Sequence, residues 1–207
     1  GENIEADLRR RDFTVNAMAW DVAESRLIDP HSGAADSKSR KIRMISPQNL
    51  EKDPIRLLRA FRLAACLSFT IAAGTRAAIA SRSDRLQEAA GERIRDEWMK
   101  ILAVDEALPH IREMDAAGLL KAVFPELAAL KHCRQNGHHE FDVFSHTLSA
   151  FSHLEALLGH PETLQPEPGK PKSGGAAQPA VSDPVRLKLA LLLHDIGKPA
   201  CRSLDRA

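Results

Sequence analysis

The sequence predicts a mainly helical protein with a small β-structured part at its amino end. Apolar residues recur at helical spacing through most of residues 47–133, and two further helical stretches follow within residues 134–207. Convincing strand patterns are confined to residues 1–46. We therefore expect three consecutive parts, of which the first holds the strands and the other two are helical.

The predicted elements are bounded by turn and cap residues. They are, in chain order, hairpin strands over 17–21 and 26–29, a strand over 41–45, and helices over 53–65, 75–81, 92–102, 107–116, 142–158 and 184–193. Residues 159–184 hold six of the twelve prolines and four of the eleven glycines, a composition that cannot bury enough apolar surface to order itself. We therefore expect a mobile insertion there.

The helix predicted over residues 53–65 has two different faces. Asp53 can cap it, and Pro54 suits its first position, where a missing N–H costs nothing. The apolar stripe contains Leu57, Leu58, Phe61, Ala64 and Ala65, and the opposite stripe contains Arg56, Arg59 and Arg62. Guanidinium groups bind phosphates or base edges through paired hydrogen bonds. The arginine stripe therefore indicates an anionic partner, although a solvated charged face would have the same spacing.

The helix predicted over 92–102 also has an apolar face. That face contains Ile94, Trp98, Ile101 and Leu102. The remaining positions are charged: Glu92, Arg93, Arg95, Asp96, Glu97 and Lys100. We expect this charged surface to be solvated and to carry pairs within the helix.

A second basic cluster precedes the predicted hairpin. Arg9, Arg10 and Arg11 are followed by Asp12, and Asn16 ends a short apolar patch. The arginines could hold a triphosphate, and the asparagine could test a sugar hydroxyl. A solvated edge with an asparagine in a turn is the alternative.

A histidine and a carboxylate end the last predicted helix. His194 and Asp195 follow a nearly continuous apolar run, and His146 on the preceding helix is the natural third ligand. Imidazole and carboxylate together suit Mn, Ni, Zn or Mg, and such an ion could activate water to hydrolyse a phosphate ester. A simple helix cap would explain the same pair without a metal.

Composition limits the partners and the compartment. The 29 Lys and Arg residues nearly balance the 28 Asp and Glu residues, so any nucleic acid must be held by local clusters. The longest apolar run, Leu189 to Leu193, is too short to cross a membrane. Three widely spaced cysteines fit reduced thiols in a cytosol. We therefore expect a cytoplasmic protein with no membrane contact.

Three motifs in chain order resemble the class II tRNA nucleotidyltransferase and poly(A) polymerase family. They are Arg10-Arg-Asp-Phe-Thr-Val-Asn-Ala17 with Leu27-Ile-Asp-Pro30, then Asp53-Pro-Ile-Arg-Leu-Leu-Arg-Ala-Phe-Arg62, and finally His138-His-Glu-Phe-Asp-Val-Phe-Ser-His146 with His194-Asp195, which resembles the HD-type domain of many bacterial members. The resemblance implies that residues 1–46 are the last part of a nucleotidyltransferase head. It further implies a neck that binds nucleotide and RNA over 47–133, and part of an HD-type domain over 134–207.

The resemblance also implies the site residues. Contacts to the phosphates and ribose of the incoming nucleotide would fall to Arg10, Arg11, Asp12 and Asn16, base pairing to Asp53 and Arg56, further nucleotide contacts to Arg59 and Arg62, and metal binding in the HD-type domain to His146, His194 and Asp195. Lys52 stands where the family has a glutamate that helps to orient the base-pairing residues. Nucleotide choice therefore does not follow from the motif.

The implied reaction is template-independent addition of nucleotides from ATP or CTP to an RNA 3′ end, most plausibly that of tRNA. The family holds its Mg²⁺ ions with an Asp-x-Asp pair upstream of the arginine motif, and no such pair lies between Gly1 and Arg10. We therefore expect the 207 residues alone to bind nucleotide without transferring it. The alternatives are polyadenylation of other RNAs, a metal-dependent HD phosphohydrolase, and an RNA-binding module without catalysis.

Overall fold

The computed structural model describes residues 3–133, 142–160 and 183–201. The chain forms two compact units, Gly1–Pro125 and Glu126–Ala207. Helices dominate both units, which confirms the predicted fold class. The part of the chain that the structure describes contains no helix long and apolar enough to cross a membrane. The three-part division at 46/47 and 133/134 stays a prediction.

The first unit consists of short helices and four short strands in the following order. Its α-helices are α1 (Ile4–Arg9), α2 (Gly33–Lys38), α3 (Pro47–Lys52), α4 (Ile55–Leu67), α5 (Ala73–Ala80), α6 (Gly91–Leu102), α7 (Leu108–Ala116) and α8 (Leu119–Val123), its 3₁₀ helices are Thr14–Asn16 and Ser83–Glu88, and its strands are β1 (Ala19–Asp21), β2 (Arg26–Ile28), β3 (Lys41–Ile42) and β4 (Thr70–Ile71).

The strands form two small sheets. β1 and β2 pair antiparallel, with Ala19 opposite Ile28, which confirms the predicted hairpin. β3 pairs in parallel with β4, so the prediction that strands are confined to residues 1–46 is wrong. Ile42 and Ile71 face each other in this pairing and are both buried. A two-residue strand gives no alternating pattern, so the burial of this pair against the helices decides the structure.

Helix α4 lies in the core of the first unit. All five residues of its predicted apolar stripe are buried, as are Ile55, Ala60 and Leu63. The helix packs mainly against α6, which buries Trp98, Ile101 and Leu102. Each fully buried leucine or phenylalanine contributes about 1.5 to 3 kcal/mol by leaving water. This packing fixes the rotation of α4 and leaves Arg56, Arg59 and Arg62 on its half-exposed side.

The start of α4 differs by one residue from the prediction. Pro54 occupies the cap position and Ile55 is the first helical residue, without a side-chain cap. Asp53 instead ends α3 with an extended backbone, as expected for a residue before proline. Its carboxylate is used elsewhere, as described below.

The second unit contains the remaining described elements. They are α9 (Pro125–Ala129), a 3₁₀ helix (Leu130–His132), α10 (Val143–Gly159), α11 (Pro184–Leu193) and α12 (Lys198–Cys201). Asp142 caps α10 by accepting a hydrogen bond from Ser145 N at 2.7 Å, and Asp183 caps α11 by accepting from Arg186 N at 3.0 Å. The cap-then-proline start predicted for α11 is confirmed. Most of the predicted insertion, and residues 138–141 of the third motif, lie outside the described residues.

A buried carboxylate ties the amino end of the first unit together. Asp36 Oδ2 accepts hydrogen bonds from Thr14 Oγ1 at 2.8 Å and from Arg43 Nε at 2.9 Å. Burial alone would raise the pKa of Asp36, but the hydrogen bonds from Arg43 and Thr14 and the charge of Arg43 outweigh it and lower that pKa. The ionised carboxylate therefore stabilises the folded state.

We predict that Asp36→Asn lowers the free energy of unfolding by about 1 kcal/mol at pH 7, because solvent partly screens the half-exposed Arg43. Since the folded pKa is depressed, this contribution is present above the unfolded pKa of about 4 and is lost as the pH falls below it. Urea unfolding between pH 3 and pH 7 measures the effect. Asp84→Asn, at an exposed position, is the control. A difference between wild type and Asp36→Asn that stays constant down to pH 3 would contradict the prediction.

Candidate nucleotide-binding site

The arginine stripe of α4 lines a polar cavity in the first unit. The cavity has a volume of about 440 Å³ and is lined by Arg11, Asp12, Asn16, Arg56, Arg59, Arg62 and Leu63. Six of these residues belong to the eight that the sequence indicates for nucleotide binding. The other two, Arg10 and Asp53, are not among the lining residues. We call this space the arginine cavity.

Carboxylates partner the arginines of the arginine cavity. Arg59 Nε lies 3.1 Å from Asp12 Oδ2, close enough for an ion pair but not aligned as a hydrogen bond. Arg62 Nε donates to Glu97 Oε2 at 2.9 Å. Arg11 Nη2 donates to Asp7 Oδ2 at 2.7 Å. An anion that enters the cavity must therefore compete with carboxylates for the guanidinium groups.

Asp12 also orients Asn16. The Asp12 side chain is only 4% exposed, and its Oδ1 accepts hydrogen bonds from Phe13 N at 2.8 Å and from Asn16 Nδ2 at 3.3 Å. The 3₁₀ helix Thr14–Asn16 brings the asparagine back over the aspartate. The carboxylate thus connects the amino-end motif to Arg59 of α4.

Asn49 and Arg56 hold the backbone of the amino-end arginine motif. Asn49 Nδ2 donates to Arg9 O and to Arg11 O, both at 2.8 Å. Arg56 Nη1 donates to Arg10 O and to Asn49 O, both at 2.9 Å. Three consecutive carbonyls are thereby fixed from α3 and α4. The sequence analysis missed Asn49, because a single asparagine in a helical pattern carries no signal for contacts 38 and 40 residues away.

The Asp53 carboxylate forms a two-bond pair with Arg93. Arg93 Nη1 donates to Asp53 Oδ1 at 2.9 Å, and Arg93 Nη2 donates to Asp53 Oδ2 at 2.8 Å. Burial tends to raise the pKa of Asp53, but the hydrogen bonds and charge of Arg93, with a smaller effect of Arg56, lower it. Asp53 is therefore ionised at neutral pH.

Two residues of the charged face of α6 are paired with other elements. Arg93 binds Asp53, and Glu97, with a side chain only 13% exposed, binds Arg62 of α4. The prediction of a solvated face with pairs inside the helix is therefore wrong for these two residues. It missed them because their partners are 40 and 35 residues away in the sequence.

The three predicted metal ligands lie together in the second unit. One ligand atom each of His146 on α10, of His194 at the end of α11, and of Asp195 lie within 4.8 Å of one another. His194 Nδ1 is 2.6 Å from Leu191 O, and since a carbonyl only accepts, Nδ1 carries the proton and leaves Nε2 as the ligand atom. Two imidazoles and one carboxylate suit Mn, Ni or Zn better than Mg, which prefers oxygen.

Lys198 contacts the same carboxylate. Its Nζ donates to Asp195 Oδ2 at 2.7 Å, and Asp195 is 7% exposed. A cation at this cluster must therefore displace the Lys198 ammonium or use the second carboxylate oxygen. The donor set fits a divalent ion, and the lysine gives it a competitor.

Two family models match the first unit. The model described as "Poly A polymerase head domain" matches residues 1–43, and the model described as "Probable RNA and SrmB- binding site of polymerase A" matches residues 68–131. The first range contains Arg11, Asp12 and Asn16, and the second contains Arg93. Helix α4 lies between the two matched ranges.

Known relatives cover nearly the whole chain. It is 38% identical over 208 residues to the A-adding tRNA nucleotidyltransferase of Deinococcus radiodurans, covering 98% of this chain and 43% of that protein. It is 35% identical over 200 residues to the CC-adding tRNA nucleotidyltransferase of Geobacter sulfurreducens, covering 97% and 44%. The structure of the Thermotoga maritima CCA-adding enzyme complexed with tRNA_CCA superposes with a TM-score of 0.66 at 26% identity, covering 92% of this chain and 41% of that one.

The chain thus spans less than half the length of each of these proteins. The similarity includes both family models and extends through the arginine cavity and the histidine cluster. On these grounds the chain belongs to the poly(A) polymerase and tRNA nucleotidyltransferase family.

Proposed function

We propose that the protein containing this chain adds nucleotides from ATP or CTP to the 3′ end of tRNA without a nucleic-acid template. The observation that carries the proposal is the arginine cavity, in which Arg11, Asp12 and Asn16 of the amino-end motif meet three arginines of α4. The names of the relatives, A-adding and CC-adding tRNA nucleotidyltransferases, support the reaction and the substrate.

Each side of the cavity has a proposed role. Arg10 and Arg11 bind the triphosphate, for which Arg11 leaves Asp7. Asn16, oriented by Asp12, binds the ribose hydroxyls. Arg59 and Arg62 make further contacts to the nucleotide, because both line the same cavity.

Asp53 and Arg56 are proposed to select the base. An ionised carboxylate only accepts hydrogen bonds, so Asp53 favours bases that present an exocyclic amino group, which are adenine and cytosine. Uracil and guanine present a carbonyl oxygen at the corresponding position, and two acceptors repel each other. Arg56 supplies the complementary donor.

Divalent metal ions are proposed at two places. Mg²⁺ at the transfer site neutralises phosphate charge and promotes attack by the RNA hydroxyl, and we expect its ligands outside the 207 residues described here. The cluster of His146, His194 and Asp195 in the second unit is proposed to hold Mn, Ni, Zn or Mg. The same cluster favours a second candidate function, metal-dependent hydrolysis of a phosphate ester, because three protein ligands leave coordination positions for water.

The deciding experiment is nucleotide incorporation into tRNA that lacks its 3′ CCA. The full-length natural protein is offered ATP alone, CTP alone, and both. CTP followed by ATP indicates CCA addition, CTP alone indicates CC addition, a single A indicates A addition, and a long A tract indicates polyadenylation. If a folded full-length protein incorporates no nucleotide, the transferase proposal is wrong, and a phosphohydrolase or an RNA-binding module remains.

We predict that Arg56→Ala changes the relative kcat/KM values for ATP, CTP, UTP and GTP by about tenfold or more, because a paired side-chain contact to a base edge carries that much discrimination. Steady-state incorporation with each nucleotide measures the effect. Arg11→Ala is the contrasting variant: since it would lose only a phosphate contact, it should raise KM for all nucleotides by the same factor. An active Arg56→Ala protein with unchanged nucleotide preference would contradict the base-selecting role.

We predict that MnCl₂ or NiCl₂ raises the melting temperature of the protein and that His194→Ala abolishes the rise, because an ion that binds only the folded state stabilises it. Differential scanning calorimetry with and without the salt measures the shift. His153→Ala is the matched control, since His153 is an exposed histidine on the same helix as His146. Equal shifts for wild type and His194→Ala would rule out metal binding at the cluster. Metal-dependent phosphate release that is lost in His194→Ala would support the phosphohydrolase.

A further inference from the structure

The pair between Asp53 and Arg93 links the start of α4 to α6. Both carboxylate oxygens accept from one guanidinium group, at 2.9 and 2.8 Å. The two residues are 40 positions apart, and the Asp53 side chain is 26% exposed while that of Arg93 is 52% exposed. We call this two-bond pair the Asp53–Arg93 fork.

We infer that Arg93 is a positioning residue that fixes the orientation of the Asp53 carboxylate and thereby sets the preference for bases with an exocyclic amino group. This inference rests on the proposed function and extends it to a residue outside the motif of α4. Arg93 acts through Asp53 and does not itself contact the nucleotide.

The hydrogen-bonding capacity of the carboxylate allows this role. Two ionised carboxylate oxygens offer about four acceptor positions, and the Asp53–Arg93 fork uses one on each oxygen. Each oxygen of Asp53 therefore keeps capacity for a donor from a base. The planar fork also fixes the plane of the carboxylate, which a single point charge would not do.

Arg56 does not provide the same constraint. Its Nε lies 3.9 Å from Asp53 Oδ2, which is too far for a hydrogen bond, and its Nη1 already donates to Arg10 O and Asn49 O. Among the described residues, Arg93 therefore makes the hydrogen bonds from a side chain that orient the Asp53 carboxylate.

Helix α6 presents Arg93 from a rigid position. One turn further along, Glu97 accepts from Arg62 Nε at 2.9 Å, so α6 has two charged contacts to the α4 region on one face. Burial of Trp98, Ile101 and Leu102 fixes the same helix by apolar packing. A side chain held on a packed helix can position a partner more narrowly than one on a loop.

The test compares Arg93→Ala and Arg93→Lys with wild type in the full-length protein. The measurement is kcat/KM for CTP, ATP, UTP and GTP on tRNA lacking its CCA end. We expect Arg93→Ala to reduce discrimination against UTP and GTP about tenfold, which is the selectivity that one oriented base contact provides. Arg93→Lys should give an intermediate loss, because an ammonium group keeps the charge but cannot form the fork.

Arg95→Ala is the matched control. Arg95 lies on the same helix, is exposed and pairs with its neighbour Asp96, so its loss should leave nucleotide discrimination unchanged. Melting temperatures of all variants separate a loss of stability from a loss of selectivity.

Three outcomes are distinguishable. If wild type transfers nucleotides and Arg93→Ala keeps wild-type discrimination, with only a lower kcat or melting temperature, Arg93 is structural and the inference is overturned. If Arg93→Ala does not fold, Arg93→Lys decides, and full discrimination in that variant overturns the inference. If wild type transfers no nucleotide at all, the proposed function itself has failed.

Discussion

The apolar packing of α4 against α6 is the interaction on which the candidate site depends. Phe61 on α4 and Trp98 on α6 are almost completely buried, and this burial fixes how α4 is rotated. Because the core takes the apolar stripe, the arginines must lie on the other side, where they line the arginine cavity. A helix of the same composition without the α6 partner would not hold its guanidinium groups in one place.

The charged groups of the site are ordered before any ligand binds. Asp12, Glu97 and Asp7 each partner an arginine of the arginine cavity, and Asn49 with Arg56 fixes the carbonyls of the amino-end motif. A triphosphate that binds there exchanges one anionic partner for another, so much of the entropy cost of ordering long side chains is already met by folding. The same exchange makes binding selective, since a weak anion would not displace a carboxylate.

The sequence predicted the parts of this arrangement that depend on local pattern. The two faces of α4, the caps Asp142 and Asp183, and the hairpin before residue 30 all follow from spacing and turn chemistry over a few residues. Arg93 and Asn49 could not be predicted in this way, because their partners are about 40 residues away and a charged or amide residue on a helix looks the same whether it is solvated or paired. The parallel pairing of β3 with β4 was missed for the same reason: it is decided by tertiary burial of Ile42 and Ile71.

Direct localisation of a bound nucleotide tests the central claim most sharply. The full-length protein can be photolabelled with 8-azido-ATP and digested, and the modified peptides identified by mass spectrometry. The account predicts that the label lies on peptides containing residues 10–16 or 53–62, and that excess ATP suppresses it. Labelling only on peptides from residues 143–159 or 184–201, or labelling that ATP does not suppress, would contradict the assignment of the arginine cavity as the nucleotide site.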